Sequence, residues 1–403
     1  MTRPNPRFID ASSQFSAGHC LAVIRRQKDG VTRSELCELA GVSRSDVSDR
    51  VRDLVEHGYI TVQARRPSTG GRPADVLRLN SDRGVVLGAT LGSTSLRVVA
   101  IDMAGVVLAE NSHEVKLTTP IASRLKAMHS LLRSTLEQAG TGTRELMAIG
   151  IAAPGSVVPD ISAGRWPLVE VCRQSHDYFA ARYDAPIMVE HDACAAAFAE
   201  SRHPRRKVAD LLFLDVDASI QSALVRGGRI HRGTHRLGIN LEHVMVAADV
   251  DVACACGNVG CVGAVAAGAT LVERASRADR PVKTVRDLAR LAAAGDRAVN
   301  GLLDDAGRTI GGVVANAVRL LSPQAVVLGG ELALSSPALI AGVRDVVHDQ
   351  VSAQVRVAGA AFGPRAGVFG ASLLALESSL APAAVNLRLA AGEGGARAAR
   401  RAV

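Results

Sequence analysis

The sequence predicts an α/β protein in which an N-terminal winged helix-turn-helix precedes a two-lobed body. Three helical segments and a basic, glycine-rich loop occupy the first part of the chain. Two separate sets of apolar strand segments follow, one starting near residue 85 and the other near residue 211. At 403 residues the chain is long for one domain. We expect four parts: a DNA-binding head at 1–82, an N-terminal lobe at 83–200, a C-terminal lobe at 201–381 and a disordered Ala/Arg-rich tail at 382–403.

The head begins with a helical segment at residues 15–27. Thr32 and Glu35 then form a capping box that opens a second helix, and Ser43 and Asp46 form another that opens a third. Glycines follow the second and third helices. This order is typical of a helix-turn-helix, whose last helix enters the major groove by its N-terminal residues.

The polar face of the third helix supplies the candidates for reading bases. Arg44, Ser45 and Ser48 lie on this face near its start, and Asp49 is a weaker candidate. Arginine can bind guanine through two hydrogen bonds, whereas serine is less selective. We therefore expect these residues to contact double-stranded DNA.

A basic hairpin follows the third helix. Strand segments at 59–62 and 76–79 flank a loop that carries Arg65, Arg66 and Arg72 among glycines and prolines. We interpret this loop as a DNA-binding wing. The alternative is a solvated surface loop, which the arginines alone do not exclude.

The body has two similar sets of strands separated by helices. An expected β-hairpin at 85–90 and 95–102 is followed by a strand at 106–109, a helix at 121–139 and a strand at 147–152. The second set comprises strand segments at 211–216 and 222–225, a long helical region at about 264–320 and a last strand at 325–330.

Charge and composition agree with a nucleic-acid-binding head on a neutral body. The net charge is +8, of which residues 1–85 carry +4 and residues 386–403 carry +3. No apolar run reaches transmembrane length, and the first residues contain no secretory signal. Seven cysteines, an odd number, fit a reducing compartment. We expect a cytoplasmic protein with no membrane partner.

Three cysteines lie close together after a histidine. Cys254, Cys256 and Cys261 have the spacing C-x-C-x4-C, and His243 precedes them. Three thiolates and an imidazole are the ligands of a closed tetrahedral zinc site. A redox pair is disfavoured because C-x-C closes a strained ring and no C-x-x-C is present. Structural zinc is therefore the predicted cofactor, and a chance cluster of small buried thiols is the alternative.

The histidine followed by C-x-C-G-x-x-G-C resembles the ROK family of sugar kinases and repressors. The resemblance extends to about residue 380 and implies an actin-like ATPase fold for the two lobes. Residues 70–74 look like the wing of ROK repressors, whose arginine can reach a minor groove. The family also implies a homodimer or homotetramer on a palindromic operator.

Both phosphate-binding loops of ROK kinases are altered in this chain. The first loop, D-x-G-G-T in the family, reads Thr90-Leu91-Gly92-Ser93-Thr94. The second, G-I-G-x-G, reads Ser219-Ile220-Gln221-Ser222-Ala223. In the first loop Thr90 replaces an aspartate that orients metal and phosphate, and Ser93 replaces one glycine, whereas the second loop has lost all of its glycines. Backbone N–H groups that lack these glycines do not approach a phosphate closely. We therefore predict that the protein does not use ATP and is not an enzyme.

The sugar site implied by the resemblance is only partly present. Asp192 matches the catalytic base and His243 matches a sugar contact, whereas His191, Asn240 and Gly263 replace family residues that contact sugar. Asp192 has a second interpretation as the N-terminal cap of the following helix. We expect His191, Asp192, Asn240 and His243 to line a pocket for an effector, and we interpret the acidic side chains of Asp215, Asp217 and Glu242 as structural.

Together these features predict a DNA-binding transcriptional regulator, most simply a repressor, whose body oligomerises and senses a carbohydrate-like effector. An active ROK sugar kinase with a fused DNA-binding domain is one alternative. A DNA-binding scaffold that has no ligand is another.

Overall fold

The computed structural model describes residues 15–66, 74–92, 94–116, 118–140, 144–155, 168–233, 238–246, 251–278, 282–351 and 354–391. The predicted wing tip with Arg72 and the middle of the first altered loop, Ser93, lie outside these residues. The backbone of Arg65 and Arg66 is described, but their side chains are not.

The head is a winged helix-turn-helix, as predicted. Its three helices are α1 (Ala17–Arg25), α2 (Arg33–Ala40) and α3 (Arg44–Glu56), and its strands are β1 (Val31–Thr32), β2 (Ile60–Arg66) and β3 (Ala74–Leu79). The strands form an antiparallel sheet in the order β1-β3-β2, in which β2 and β3 are the two arms of the wing.

Local capping interactions fix the ends of these helices. Thr32 Oγ1 accepts a hydrogen bond from the Glu35 backbone at 3.3 Å, and Glu35 Oε2 accepts one from the Thr32 backbone at 2.8 Å. Ser43 Oγ accepts from the Asp46 backbone at 3.2 Å. The Asp46 carboxylate, however, accepts from the Ser43 hydroxyl, so the second predicted capping box is only half formed. Each such cap contributes roughly 1 kcal/mol to helix stability.

The two lobes contain sheets of identical topology. The N-terminal sheet has the order β6-β5-β4-β7-β8, from β4 (Gly84–Leu91), β5 (Ser95–Asp102), β6 (Val107–Glu114), β7 (Glu145–Ala153) and β8 (Ile187–His191). The C-terminal sheet has the order β11-β10-β9-β12-β13, from β9 (Leu211–Val216), β10 (Ile220–Arg226), β11 (Arg229–Ile230), β12 (Ala325–Gly329) and β13 (Arg356–Gly359). In each lobe three antiparallel strands are followed by two parallel ones, which confirms the predicted repetition.

Eleven helices of the described chain complete the body. They are α4 (Ile121–Gln138), α5 (Leu168–Ala180), α6 (Asp192–Arg202), α7 (Val262–Ala266), α8 (Gly268–Arg277), α9 (Val285–Ala293), α10 (Arg297–Leu321), α11 (Glu331–Ser335), α12 (Pro337–Gln350), α13 (Ala366–Ser379) and α14 (Pro382–Ala391). The predicted helical region at 264–320 is thus divided among α7 to α10.

Very close backbone packing joins the lobes through α13. A Cβ placed on Gly370 of α13 would lie 1.7 Å from the backbone oxygen of Ala195 in α6. Gly88 and Gly150 make similarly close approaches between the N-terminal sheet and α13. Because even a methyl group would overlap backbone atoms at these three positions, glycine is a packing requirement there.

The prediction of a disordered tail from residue 382 is wrong for its first ten residues. They form α14, which packs against α1 of the head, and Val385 is fully buried there. Asn386 Oδ1 accepts from the Gly18 backbone at 2.9 Å, and its Nδ2 donates to Ser16 Oγ at 2.9 Å. A single buried apolar residue gives no sequence period, because the helix is stabilised by contacts with a segment more than 360 residues away.

Apolar packing also continues from the head into the body. Leu21 and Ile24 of α1 belong to the same buried cluster as Met147 of β7 and Leu376 of α13. The head is therefore attached to the N-terminal lobe by a shared core as well as by hydrogen bonds.

No single helix within the described ranges is long and apolar enough to cross a membrane. The segments Gly363–Ser379 and Pro382–Ala391 meet the length and composition criteria only as a pair, which is bent by 57°.

Attachment of the head can be tested with a matched pair of glycine substitutions. A Cβ at Gly18 would lie 2.3 Å from the Pro382 backbone oxygen, whereas one at Gly301, an exposed position of α10, would meet nothing within 4 Å. We expect Gly18→Ala to lower the free energy of unfolding by about 1–3 kcal/mol. Gly301→Ala should leave it unchanged or raise it by about 0.5–1 kcal/mol. Equal effects of the two substitutions in urea unfolding would contradict the observed packing of α1 on α14.

Candidate DNA-binding surface, metal centre and interlobe cleft

The exposed start of α3 is the candidate DNA-reading surface. Val47, Val51 and Leu54 are buried against the head, which turns Arg44, Ser45 and Ser48 toward solvent. The spacing that buries every third or fourth residue therefore determines which polar residues are available to DNA.

Asp49 has a different environment on the same helix. Its carboxylate accepts a hydrogen bond from Arg52 at 2.9 Å. This pairing makes Asp49 a weaker candidate for base contact than Arg44.

Arg65 and Arg66 lie at the end of β2, next to a register shift in the wing hairpin. Because the side chains of Arg65, Arg66 and Arg72 are not described, their contact with DNA stays a prediction.

The four predicted metal ligands meet at one point. The ligand atoms of His243, Cys254, Cys256 and Cys261 all lie within 4.8 Å of one another. Cys256 Sγ is 3.6 Å from Cys261 Sγ, and Cys254 Sγ is 3.4 Å from His243 Nδ1. Zinc bonds of about 2.0–2.3 Å in a tetrahedron place ligand atoms about 3.5–3.8 Å apart, so these separations fit zinc.

The loop that carries the thiols is shaped by glycines. Gly257 and Gly260 have φ of +90° and +68°, values that side-chain-bearing residues rarely adopt. Short bridges pair Met245 with Cys261 and Ala253 with Val259, which closes the loop around the sulfur atoms. All three cysteines are free thiols.

The protonation of the thiols depends on their surroundings. A hydrogen bond from the Asn258 backbone lowers the pKa of Cys256, whereas burial raises the pKa of Cys261 to about 12. A divalent cation bound between them would favour both thiolates, because a coordinating thiol is deprotonated by the charge of the metal. His243 Nε2 lies 3.8 Å from Glu242 Oε2, which is too far for a hydrogen bond, and it is buried without a hydrogen-bond partner among the described residues.

Both lobes line a cleft of about 1210 Å³. Thr90 and Gly92 line it at the end of β4, Ser219 lines it from the turn between β9 and β10, and Gln221 lines it from the start of β10. The two altered loops of the sequence thus face one cavity. Thr90 Oγ1 is buried and has no hydrogen-bond partner within the described part of the chain.

Acidic side chains also line this cleft, which the sequence analysis did not anticipate. Asp215 and Asp217 were interpreted as structural, yet both face the cavity beside the second altered loop. Burial raises the pKa of Asp217 to about 6 and raises the pKa of Asp215 well above its usual value, and the nearby Asp192 charge adds to both shifts. In its ionised form, either carboxylate would repel an anionic phosphate.

The predicted effector residues are only partly brought together. Asp192 lines the cleft, while His191 and Asn240 line a small annex of about 30 Å³ that shares Gln221 and Glu242 with it. His243 is part of the cysteine cluster and does not line either cavity. Asp192 is the first residue of α6, after the N-cap residue His191, and it accepts from the Ala193 backbone at 2.8 Å. The helix has no side-chain cap, so the interpretation of Asp192 as its N-terminal cap is wrong.

A winged helix-turn-helix on a body with two repeated α/β lobes defines a DNA-binding regulator built on the actin-like ATPase fold. A model of the ROK family matches residues 86–378, and a model of the MarR family matches residues 14–72. The chain belongs to the ROK family.

Two relatives of this chain are described as transcriptional regulators. The xylose repressor of Caldicellulosiruptor bescii is 22% identical over 79% of this chain and 84% of its own length. The Escherichia coli protein described as DNA-binding transcriptional dual regulator NagC is 25% identical over 85% of this chain and 86% of its own. The chain is thus similar to DNA-binding repressors along most of its length.

Two solved structures resemble this chain over different parts of its length. A ROK family transcriptional regulator described as a homologue of the E. coli MLC protein covers 93% of this chain and 98% of its own, with a TM-score of 0.74 and 20% identity. The ROK hexokinase of Thermus thermophilus covers 72% of this chain and 97% of its own, with a TM-score of 0.58 and 28% identity. The regulator shares head and body, whereas the hexokinase shares the body.

The metal centre can be tested by removing one ligand. We expect Cys256→Ser to lose about one zinc per chain. Its melting temperature should fall by about 2–4 °C for each kcal/mol of unfolding free energy that is lost. Cys172→Ser, which changes a half-buried thiol outside the cluster, should keep both zinc and stability. Metal analysis of protein purified without added zinc is the measurement. Less than about a tenth of an equivalent in folded wild-type protein would show that the cysteines are ordinary core residues.

Proposed function

We propose that this chain is a cytoplasmic repressor whose head binds an operator and whose body is a non-catalytic sensor. The observation that carries the proposal is the exposed face of α3, where Arg44, Ser45 and Ser48 stand at the N-terminal end of a capped helix. This is the end that a helix-turn-helix inserts into the major groove. The similarity to named repressors supports the same function.

The absence of kinase activity is part of the proposal. Ser219 and Gln221 bring side chains to positions where the family has glycines, whose backbone N–H groups approach the phosphate. Thr90 stands where the family has an aspartate that orients metal and phosphate. The similarity to ROK hexokinase concerns the fold of the body. Asp192 remains where the resemblance puts a catalytic base, but a base alone supplies only about 10²- to 10⁴-fold of rate.

A carbohydrate-like effector is the ligand that we propose for the cleft. The relatives are named after xylose and N-acetylglucosamine, and the cleft of this chain has polar groups from both lobes. Closure of the lobes around such a ligand would alter the position of the heads, because α13 and α14 connect the body to α1. A scaffold without any ligand is the alternative function, and the polar lining of the cleft disfavours it.

Dimerisation and zinc complete the proposal. A homodimer or homotetramer would place two heads on the halves of a palindromic operator, about one helical turn apart or a multiple of it. The His243, Cys254, Cys256 and Cys261 cluster would hold one structural zinc in each subunit.

Substitution of the reading helix tests DNA binding. On an operator selected from random DNA by the purified protein, Arg44→Ala should cost about 1–3 kcal/mol and relax specificity at one base pair. Arg72→Ala should weaken binding more evenly, or chiefly at A/T-rich flanks, if this arginine enters the minor groove. Arg133→Ala removes the same charge from an exposed position of the body and should change little.

Fluorescence anisotropy at fixed salt would measure these affinities, since salt alone changes non-specific binding strongly. If neither Arg44→Ala nor Arg72→Ala lowered operator affinity relative to Arg133→Ala, the assignment of reading helix and wing would be incorrect.

A further inference from the structure

The annex beside the cleft contains polar atoms that the protein itself leaves unsatisfied. His191 Nε2 and Gln221 Oε1 are buried and form no hydrogen bond within the described residues. His191 Nε2 lies 3.2 Å from Asp192 Oδ1, a contact that becomes an ion pair only when the histidine is protonated. Buried polar atoms are costly when unpaired, so their convergence on one cavity points to a ligand group or water that completes them.

Glu242 occupies space that is available only because residue 263 is glycine. A Cβ on Gly263 would lie 2.4 Å from Glu242 Cγ and 3.1 Å from its Oε1. The Gly263 backbone also donates to the Glu242 carbonyl at 2.9 Å, which fixes the two segments relative to each other. The Glu242 side chain is only 8% exposed and lines both the annex and the cleft. A carboxylate at position 242 and a larger side chain at position 263 are therefore mutually exclusive.

The groups around the annex include both donors and acceptors. Asn240 Oδ1 accepts from the Glu242 backbone at 3.1 Å, which leaves the amide NH₂ as its ligand-facing group. Gln221 Oε1 and the Glu242 carboxylate are acceptors. A hydroxyl group can satisfy both kinds, because it donates one hydrogen bond and accepts others. An ammonium group only donates, and a phosphate would be repelled by Glu242 and Asp192.

We propose that Glu242, held in the space above Gly263, is the specificity-determining anchor for vicinal hydroxyls of a neutral, polyhydroxylated effector. The carboxylate that anchors this ligand thus comes from position 242, and Gly263 is required to admit it. The annex has room for about one water-sized group, so the rest of the ligand lies in the cleft. This inference rests on the proposed function of the cleft as an effector site.

Three variants distinguish the role of the Glu242 carboxylate from the role of the space above Gly263. Glu242→Gln keeps the shape and removes the charge. Gly263→Glu adds a second carboxylate where Glu242 already lies, and the double variant Glu242→Ala, Gly263→Glu transfers the carboxylate to the neighbouring position. Calorimetry with D-xylose, D-glucose and N-acetylglucosamine measures binding. Spermidine and glucose 6-phosphate serve as cationic and anionic probes, and operator binding without any probe is measured in parallel.

We expect at least one neutral sugar to bind the wild type and neither charged probe to do so. Glu242→Gln should weaken that sugar about 10- to 100-fold, and Gly263→Glu should weaken it at least as much. The double variant should recover binding relative to Gly263→Glu, a non-additive effect expected only of directly coupled positions.

Each contrary result would contradict one specific part of the proposal. Wild-type protein that binds none of the neutral sugars, or binds a charged probe instead, overturns the proposed ligand class. Unchanged affinity in Glu242→Gln, or no recovery in the double variant, overturns the role of Glu242. Because operator affinity is measured without sugar, its loss in the wild type would instead contradict the proposed function.

Discussion

The architecture depends on the close packing of α13 against its neighbours. This helix approaches α6 at Gly370 and Ala195, and it approaches β4 and β7 at Gly88 and Gly150. Even a methyl side chain at these glycines would separate the elements, so their spacing depends on glycine. From α13 the chain continues directly into α14, which holds α1 of the head. The lobes and the DNA-binding head are therefore connected through packed helices and a shared core.

The cleft keeps the backbone arrangement of the family's fold, but the side chains that line it differ from those of the kinases. The repeated sheets bring the ends of β4 and β9 to one cavity, as an enzyme acting on phosphate would require. Ser219 and Gln221 of the second loop carry side chains where the family has glycines, and Asp215 and Asp217 line the cavity beside that loop. Burial raises the pKa of Asp217 to about 6. Keeping such carboxylates in a buried cleft lowers stability at neutral pH, because their charged form is poorly solvated. Their location fits a site whose polarity is used for binding, with no requirement to hold a phosphate.

Features encoded locally were predictable from the sequence. Three of these features involve residues near one another in the chain: the capping box of Thr32 and Glu35, the face of α3, and the spacing of Cys254, Cys256 and Cys261. Helix propensity and residue spacing were therefore sufficient to predict them. The resemblance to the ROK family supplied the two-lobed body.

Features that depend on distant contacts were not predictable. The helix α14 is stabilised by Ser16 and Gly18 of the head, and its composition alone suggested disorder. The exclusion between Glu242 and Gly263 joins positions 21 residues apart, and only the folded backbone shows that they share one space. Asp215 and Asp217 were assigned a structural role because their exposure to the cleft depends on how the two lobes face each other.

ATP turnover tests the central claim, that the body keeps the fold of a kinase and has lost its phosphate chemistry. A coupled assay of ATP consumption, with protein that binds its operator and with a panel of neutral sugars, gives the most direct answer. The account predicts no sugar-dependent consumption above background, because the second loop has lost the glycines that let backbone N–H groups approach a phosphate and the first loop has lost its aspartate. Sugar-dependent turnover that Asp192→Asn abolishes would contradict it.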